Sequence, residues 1–208
     1  MQAEAGTTLT PETQPDQAHP PQHRRALFWV VLGIAAIWIV LDQVTKTWAE
    51  AGLTRGEPVD LIPGFLDLYL VHNPGAAFSL ATNATVVLSV LAVGVAAYIV
   101  WSARRLGSVA WSIGLGLLLG GALGNLVDRL VRPPGVGQGH VVDFLRFTDF
   151  PVIDFPVFNV ADIGITSAAV LIALLALLGI APDGRRAERT GAGPGGERAG
   201  EPTGGADE

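Results

Sequence analysis

The sequence predicts an all-α membrane protein, a four-transmembrane-helix bundle that carries a small extracytoplasmic β-sheet. Three observations lead there. Only 15% of the 208 residues are charged, where a soluble domain averages about 25%. Four uncharged runs approach or reach the roughly 20 residues that cross a hydrocarbon core of about 30 Å. Between the first two runs, one stretch alternates with the period of a strand.

The first run, Ala26 to Leu41, has 16 residues and gains a turn if the helix continues through Asp42 to Lys46. The others are Ala84 to Trp101 with 18 residues, Leu106 to Val127 with 22 and Ile163 to Pro182 with 20. None shows the polar stripe at period 3.6 that a soluble surface helix needs. Arg24-Arg25, an apolar stretch and then Ala49-Glu50-Ala51 has the outline of a cleavable signal peptide. The run exceeds a usual signal core, however, and Asp42 and Lys46 intervene, so a retained helix is the better reading. Arg24 and Arg25, then Arg104 and Arg105, then Arg185, Arg186 and Arg189 flank the helices in a pattern that puts all three clusters on one side. The positive-inside bias makes that side the cytoplasm, with both termini there and the two longer loops outside.

In the first outer loop, Leu66, Leu68, Leu70 and His72 alternate with Asp67, Tyr69, Val71 and Asn73, and a Pro74-Gly75 turn follows. That stretch reads as a strand lying on the outer membrane face. The second outer loop opens on Pro133 to Gly139, a flexible spacer, and continues into Val141-Val142-Asp143-Phe144-Leu145, apolar around a single acid. The ends of the chain differ in kind. Residues 1–22 carry three acids and no base, and residues 183–208 carry six acids and four arginines. Both segments read as disordered tails around a membrane domain at 23–182. The net charge of −6 therefore resides largely in the tails. No basic footprint for nucleic acid is present. With no cysteine, disulfides, thiolate zinc sites and cysteine nucleophiles are excluded.

Ionisable groups at membrane depth are costly and point to function. Here they gather at the outer helix ends: Asp42 and Lys46 on the first helix, Asn125, Asp128 and Arg129 closing the third, Asp143 in the next loop, and Asn159 and Asp162 opening the fourth. Each has a plain alternative. Asp42 and Lys46 are spaced for an i,i+4 ion pair, Arg129 for snorkelling at a helix end, and Asn159 with Asp162 for an N-cap and its N3 acid. Gly116, Gly120 and Gly124 form a smooth stripe for close helix packing. Continued by four, that stripe reaches Asp128, and Gly121 leads likewise to Asn125 and Arg129.

Several chemistries fit poorly. His72 and His140 lie outside an HExxH motif, and a serine–lysine dyad would have to join Lys46, the sole lysine, to Ser79. Paired carboxylates remain. Two acids held close share a proton, so one activates water while the other protonates the carbonyl or leaving group. A proton- or ion-coupled transporter is the competing class, but it calls for carboxylates near the midplane.

Five motifs occur in order: Asp42-x-x-x-Lys46; Asn73-Pro74-Gly75-Ala76-Ala77-Phe78-Ser79; Gly120-Gly121-Ala122-Leu123-Gly124-Asn125-x-x-Asp128-Arg129; Val141-Val142-Asp143-Phe144; and Phe158-Asn159-x-Ala161-Asp162. Together they resemble the bacterial lipoprotein signal peptidase (signal peptidase II) family over about residues 26–181. The resemblance implies an aspartyl endopeptidase of the bacterial inner membrane. Such enzymes remove signal peptides from diacylglyceryl-modified prolipoproteins, cutting just before the lipidated cysteine at the outer membrane face. It implies Asp143 and Asp162 as the dyad, with Asn73, Asn125, Arg129, Asn159, Asp42, Lys46 and Asp128 supporting the site or holding substrate. No cofactor is expected, and the expected partners are lipidated substrate and membrane lipid, with the enzyme a monomer. A physical argument separates Asp128 from Asp143. Asp128 adjoins Arg129 and stays ionised, whereas Asp143 lies among Val141, Val142 and Phe144, which desolvate it and favour a shared proton. The spacer before Val141 and both tails are longer than the family pattern requires.

Overall fold

The computed structural model describes residues 21–75, 84–148 and 155–186. In chain order these form α1 (Pro21–Gly52), β1 (Pro58–Ile62), β2 (Leu66–Asn73), α2 (Ala84–Ala103), α3 (Val109–Val131), β3 (Val141–Phe147) and α4 (Val160–Leu177). All four apolar runs are helical, and each helix is long and apolar enough to cross a membrane. Helix α1 runs unbroken for 32 residues through Asp42 and Lys46, because both charges are buried against partners. Ala49, the first residue of the small-residue triplet, is fully buried inside α1. Helix α3 begins later than its apolar run, at a cap where Ser108 accepts from the Trp111 N–H. Helix α4 begins earlier than its run because Asn159 caps it. It also stops short of Pro182, with Gly179 in the left-handed region at φ 69° just beyond its end.

Helix α3 is the central element and packs on α1, α4 and α2. Its glycines divide by neighbour. A Cβ on Gly120 would sit 2.7 Å from the Cβ of Trp38, and one on Gly116 would sit 2.8 Å from that of Ile34, both on α1. A Cβ on Gly121 would instead strike the Ala161 carbonyl of α4. Without side chains at these positions the backbones approach closely. One stripe therefore leads to Asp128 against α1 and the other to Asn125 against α4.

The two outer loops meet in one antiparallel sheet of order β1-β2-β3. Strand β2 has the predicted limits. Strands β1 and β3 lie in stretches where the sequence showed no clear alternation. In the β2–β3 register, Val71 faces Asp143 and Asn73 faces Val141, and the pairing shifts between Leu68 and Val71. The spacer expected to be flexible is a hydrogen-bonded turn. Gly139 N–H donates to the Arg129 carbonyl at 3.0 Å, and His140 N–H donates to the Pro133 carbonyl at 3.0 Å. The longer connection thus folds back on the end of α3, and a side chain at Gly139 would strike the Asp128 and Arg132 carbonyls.

Leu27, Val31, Ala35, Ile99, Ala103, Leu106 and Leu119 form the core toward the other end of the bundle. There Gly107 N–H donates to the Pro182 carbonyl at 2.9 Å, and the Trp111 ring N–H donates to the Ile180 carbonyl at 2.8 Å. The start of α1, the α2–α3 turn and the segment after α4 thus share one end, away from the sheet. Arg24, Arg25, Arg104, Arg105, Arg185 and Arg186 belong to these segments, and Arg189 lies outside the described residues.

Candidate active site

The polar residues at the sheet end form two linked groups. The first neutralises the buried charges between α1 and α3. Lys46 Nζ lies 2.8 Å from Asp42 Oδ2 and 2.8 Å from Asp128 Oδ2, and it donates to Asn125 Oδ1 at 2.9 Å. All three charged side chains are fully buried, so mutual pairing is what makes them tolerable. Asp42 also accepts the Ala161 N–H at the start of α4 at 2.9 Å. Asp128 accepts from Arg132 Nε at 2.8 Å, from Gln43 Nε2 at 3.1 Å and from the Val142 N–H at 3.2 Å. That last bond ties α3 to β3 one residue before Asp143.

The second group surrounds two carboxyls. Asp143 is 2% exposed and accepts from Asn73 Nδ2 at 2.8 Å and from Asn159 Nδ2 at 2.6 Å. Asp162 is half-buried and accepts from Asn125 Nδ2 at 2.8 Å. It also completes the capping box of α4: its N–H donates to Asn159 Oδ1 at 3.0 Å, and its carboxyl accepts the Asn159 N–H at 3.2 Å. Asn159 therefore contacts both carboxyls. Asn125 joins the groups, accepting from Lys46 and from Asn159 Nδ2 at 3.1 Å while donating to Asp162.

Strand alternation sets which way β3 side chains go. Val142 and Phe144 enter a core with Ala49, Leu68 and Leu70, while Val141, Asp143 and Phe147 line a cavity of about 520 Å³. Asp162, Asn73, Asn125 and Arg129 line the same cavity. Burial pushes the Asp143 carboxyl up to about 7, and the neighbouring Asp162 carboxylate adds to this. The Asn73 and Asn159 amides and the Lys46 charge pull the other way without prevailing. Arg129 Nη1 donates to the Asn125 carbonyl at 3.1 Å, while its buried Nε has no partner. The far wall is aromatic. Phe147 packs on Phe158 at 5.0 Å and on Phe155 at 5.4 Å between ring centroids, and all three rings line the cavity.

Every site residue expected from the sequence thus lies in one connected arrangement. Asp42, Lys46 and Asp128 are excluded from the cavity lining, whereas Asn73, Asn125, Arg129, Asp143 and Asp162 reach it. Asn159 holds the two carboxyls from behind. Of the Asn73–Ser79 motif, residues 76–79 fall outside the described residues, Ser79 of the dyad alternative among them. His72 pairs with Glu50 at 3.2 Å. Among the described residues no cluster of three or more His, Asp or Glu side chains could hold a metal ion. Sequence reasoning missed Gln43, which donates to Asp42, Asp128 and the Gly124 carbonyl. It also missed Arg132, which links Asp128 to Glu50. Gln43 was discoverable as a neutral polar residue beside Asp42 at membrane depth. Arg132 carried no such signal. Of the cavity's phenylalanines, Phe158 stood within a quoted motif, whereas Phe147 and Phe155 carried no such signal.

The family described as signal peptidase (SPase) II matches residues 34–178. A lipoprotein signal peptidase of Rhodococcus jostii is 49% identical over 179 residues, covering 84% of this chain and 86% of the relative. One from Mycobacterium tuberculosis is 46% identical over 175 residues, covering 83% and 82%. Among solved structures, a bacterial membrane enzyme determined by the in meso method at 1.9 Å resolution superposes with a TM-score of 0.63. It has 29% identity and covers 71% of this chain and 92% of its own. None of these similarities supports a transporter.

Proposed function

The chain belongs to the signal peptidase II family of lipoprotein signal peptidases, and from that membership and the cavity's geometry we infer an aspartic-type peptidase that removes signal peptides from prolipoproteins by an Asp143–Asp162 dyad. The observation that carries the dyad is Asn159. It holds one carboxyl through its amide and the other through its cap, and both open on one cavity. Among the described residues these two are the acids that line it.

In this mechanism the pair shares one proton, which rests on Asp143 because burial disfavours its ionised form. Asp162 takes a proton from water as the water oxygen attacks the scissile carbonyl, and Asp143 gives its proton to the carbonyl oxygen. The tetrahedral intermediate then collapses. Asp162 gives its proton to the amide nitrogen as the C–N bond breaks, and a hydroxyl of the intermediate returns its proton to Asp143 as the new carboxyl forms, so the pair again holds a single proton. Arg129, with its unpartnered Nε, holds the substrate carbonyl against the developing charge. The substrate is a diacylglyceryl-modified prolipoprotein cut before its lipidated cysteine. Its acyl chains remain in the bilayer while the signal segment lies along Phe147, Phe155 and Phe158. The enzyme acts as a monomer in the inner membrane, with its arginine-rich end cytoplasmic and the sheet and cavity outside.

Cleavage of a lipidated prolipoprotein by the purified full chain tests the assignment. Asp143→Asn and Asp162→Asn each lower the rate by about 10²–10⁴-fold without lowering the unfolding temperature below that of an active variant. Undiminished cleavage by either variant overturns the dyad, and equal cleavage of unlipidated substrate overturns the substrate class.

A further inference from the structure

At the end of the bundle away from the dyad, Arg24, Arg25, Phe28 and Trp29 of α1 and Arg104 after α2 line a second cavity, of about 400 Å³. Its charge is unbalanced. No Asp or Glu occurs in residues 17–41 or 68–127, so the first half of α1, all of α2 and the α2–α3 turn hold no acid. Among the described residues, Lys46, Arg132, Arg146 and Arg185 each pair with a carboxylate. Arg24, Arg25 and Arg104, like Arg55, Arg105, Arg129 and Arg186, form no ion pair with a described carboxylate, but these three line one cavity together. The Nε of Arg24 is buried without any hydrogen-bond partner, a costly state unless a ligand satisfies it.

The remaining walls suit a lipid. Trp29 is 68% exposed, and Trp101 and Tyr98 nearby are 53% and 65% exposed, as rings at a headgroup boundary are. Arg105 lies over the Trp101 ring at 4.7 Å, which turns that guanidinium toward the ring. Guanidinium groups match phosphate oxygens in a planar two-point geometry. Basic pockets between membrane helices take anionic headgroups in this way. We propose that this cavity binds the headgroup of an anionic phospholipid, its phosphodiester against Arg24, Arg25 and Arg104 and its upper acyl chains along Phe28 and Trp29.

The test uses the full chain in nanodiscs of equal phosphatidylglycerol and phosphatidylcholine. Lipid retained after transfer to mild detergent is then quantified by mass spectrometry. The parent retains phosphatidylglycerol in excess over phosphatidylcholine. Arg104→Gln reduces that excess about fivefold, as about one basic side chain near an anionic surface does, and R24Q/R25Q/R104Q abolishes it. Arg55→Gln, exposed near the sheet end, leaves it unchanged. Three results would overturn the site: no excess in the parent, no loss in Arg104→Gln, or an equal loss in Arg55→Gln. The single variant keeps the test decisive if the triple variant fails to fold.

Discussion

Asp128 and Asp143 show at the scale of single residues how surroundings divide two identical side chains. Asp128 faces Lys46 and Arg132, two cations, and also receives an amide and a backbone N–H. Asp143 receives two neutral amides and sits in a buried setting. The first is bound to cations and holds helices and sheet together, while the second holds a proton near neutrality. A pH dependence follows. With the folded value near 7 and the ordinary value 3.8, the folded state binds more protons between about pH 4 and 7. Asp143 therefore contributes stability that is full at the acidic end, is lost as pH rises through about 7, and amounts to about 4 kcal/mol. Thermal unfolding in detergent at pH 5 and pH 8 checks this: Asp143→Asn should show a smaller drop between the two than the parent. Under the proposed roles, cleavage by the parent also declines above about pH 7, where the pair loses its shared proton. The neighbours of Asp143 in the chain foretold its desolvation. The amides that hold it, Asn73 and Asn159, are 70 and 16 residues away, and no local pattern announces such pairings.

At the scale of elements, α3 organises the molecule because it carries two glycine faces. Gly121→Ala places a methyl group against the Ala161 carbonyl at the start of α4, the turn that presents Asn159 and Asp162. That substitution costs about 1–3 kcal/mol by overpacking and lowers cleavage by shifting the cap. Gly33→Ala meets nothing within 4 Å on α1 and leaves both stability and cleavage at parental levels. Unfolding temperatures and cleavage rates of the two variants, measured side by side, check the contrast. The four helices were legible because each is an uninterrupted apolar run. Strand β2 was legible because Leu66, Leu68 and Leu70 alternate within one segment. Strand β3 was not, because Val141 and Val142 are consecutive apolar residues serving different surroundings: one lines the cavity and the other enters the core. Its pairing partner also belongs to the other loop.

Across the whole molecule, charge is sorted by end. Among the described residues, the buried acids and amides gather beside the sheet, and Arg24, Arg25, Arg104 and Arg105 gather where α1 starts and α2 ends. The absence of native cysteine permits a direct check of sidedness. In intact cells an impermeant maleimide should label Arg55→Cys, and it should label Arg186→Cys only after the membrane is opened. The reverse pattern overturns the orientation. The sequence by itself determined the number of spans, their polarity pattern and the local pairs Asp42–Lys46 and Asn159–Asp162, because hydropathy and the helical repeat act over a few neighbouring residues. Only the tertiary structure decided that the longer spacer folds back on α3. It also decided that Asp128 holds the Val142 N–H, that Asn125 joins the charged group to the Asp143 and Asp162 carboxyls through Lys46, Asn159 and Asp162, and that aromatic rings line the same cavity. Those contacts join residues distant in the chain, and they form only where buried charges and amides find partners that cost less than leaving them unpaired in the membrane interior.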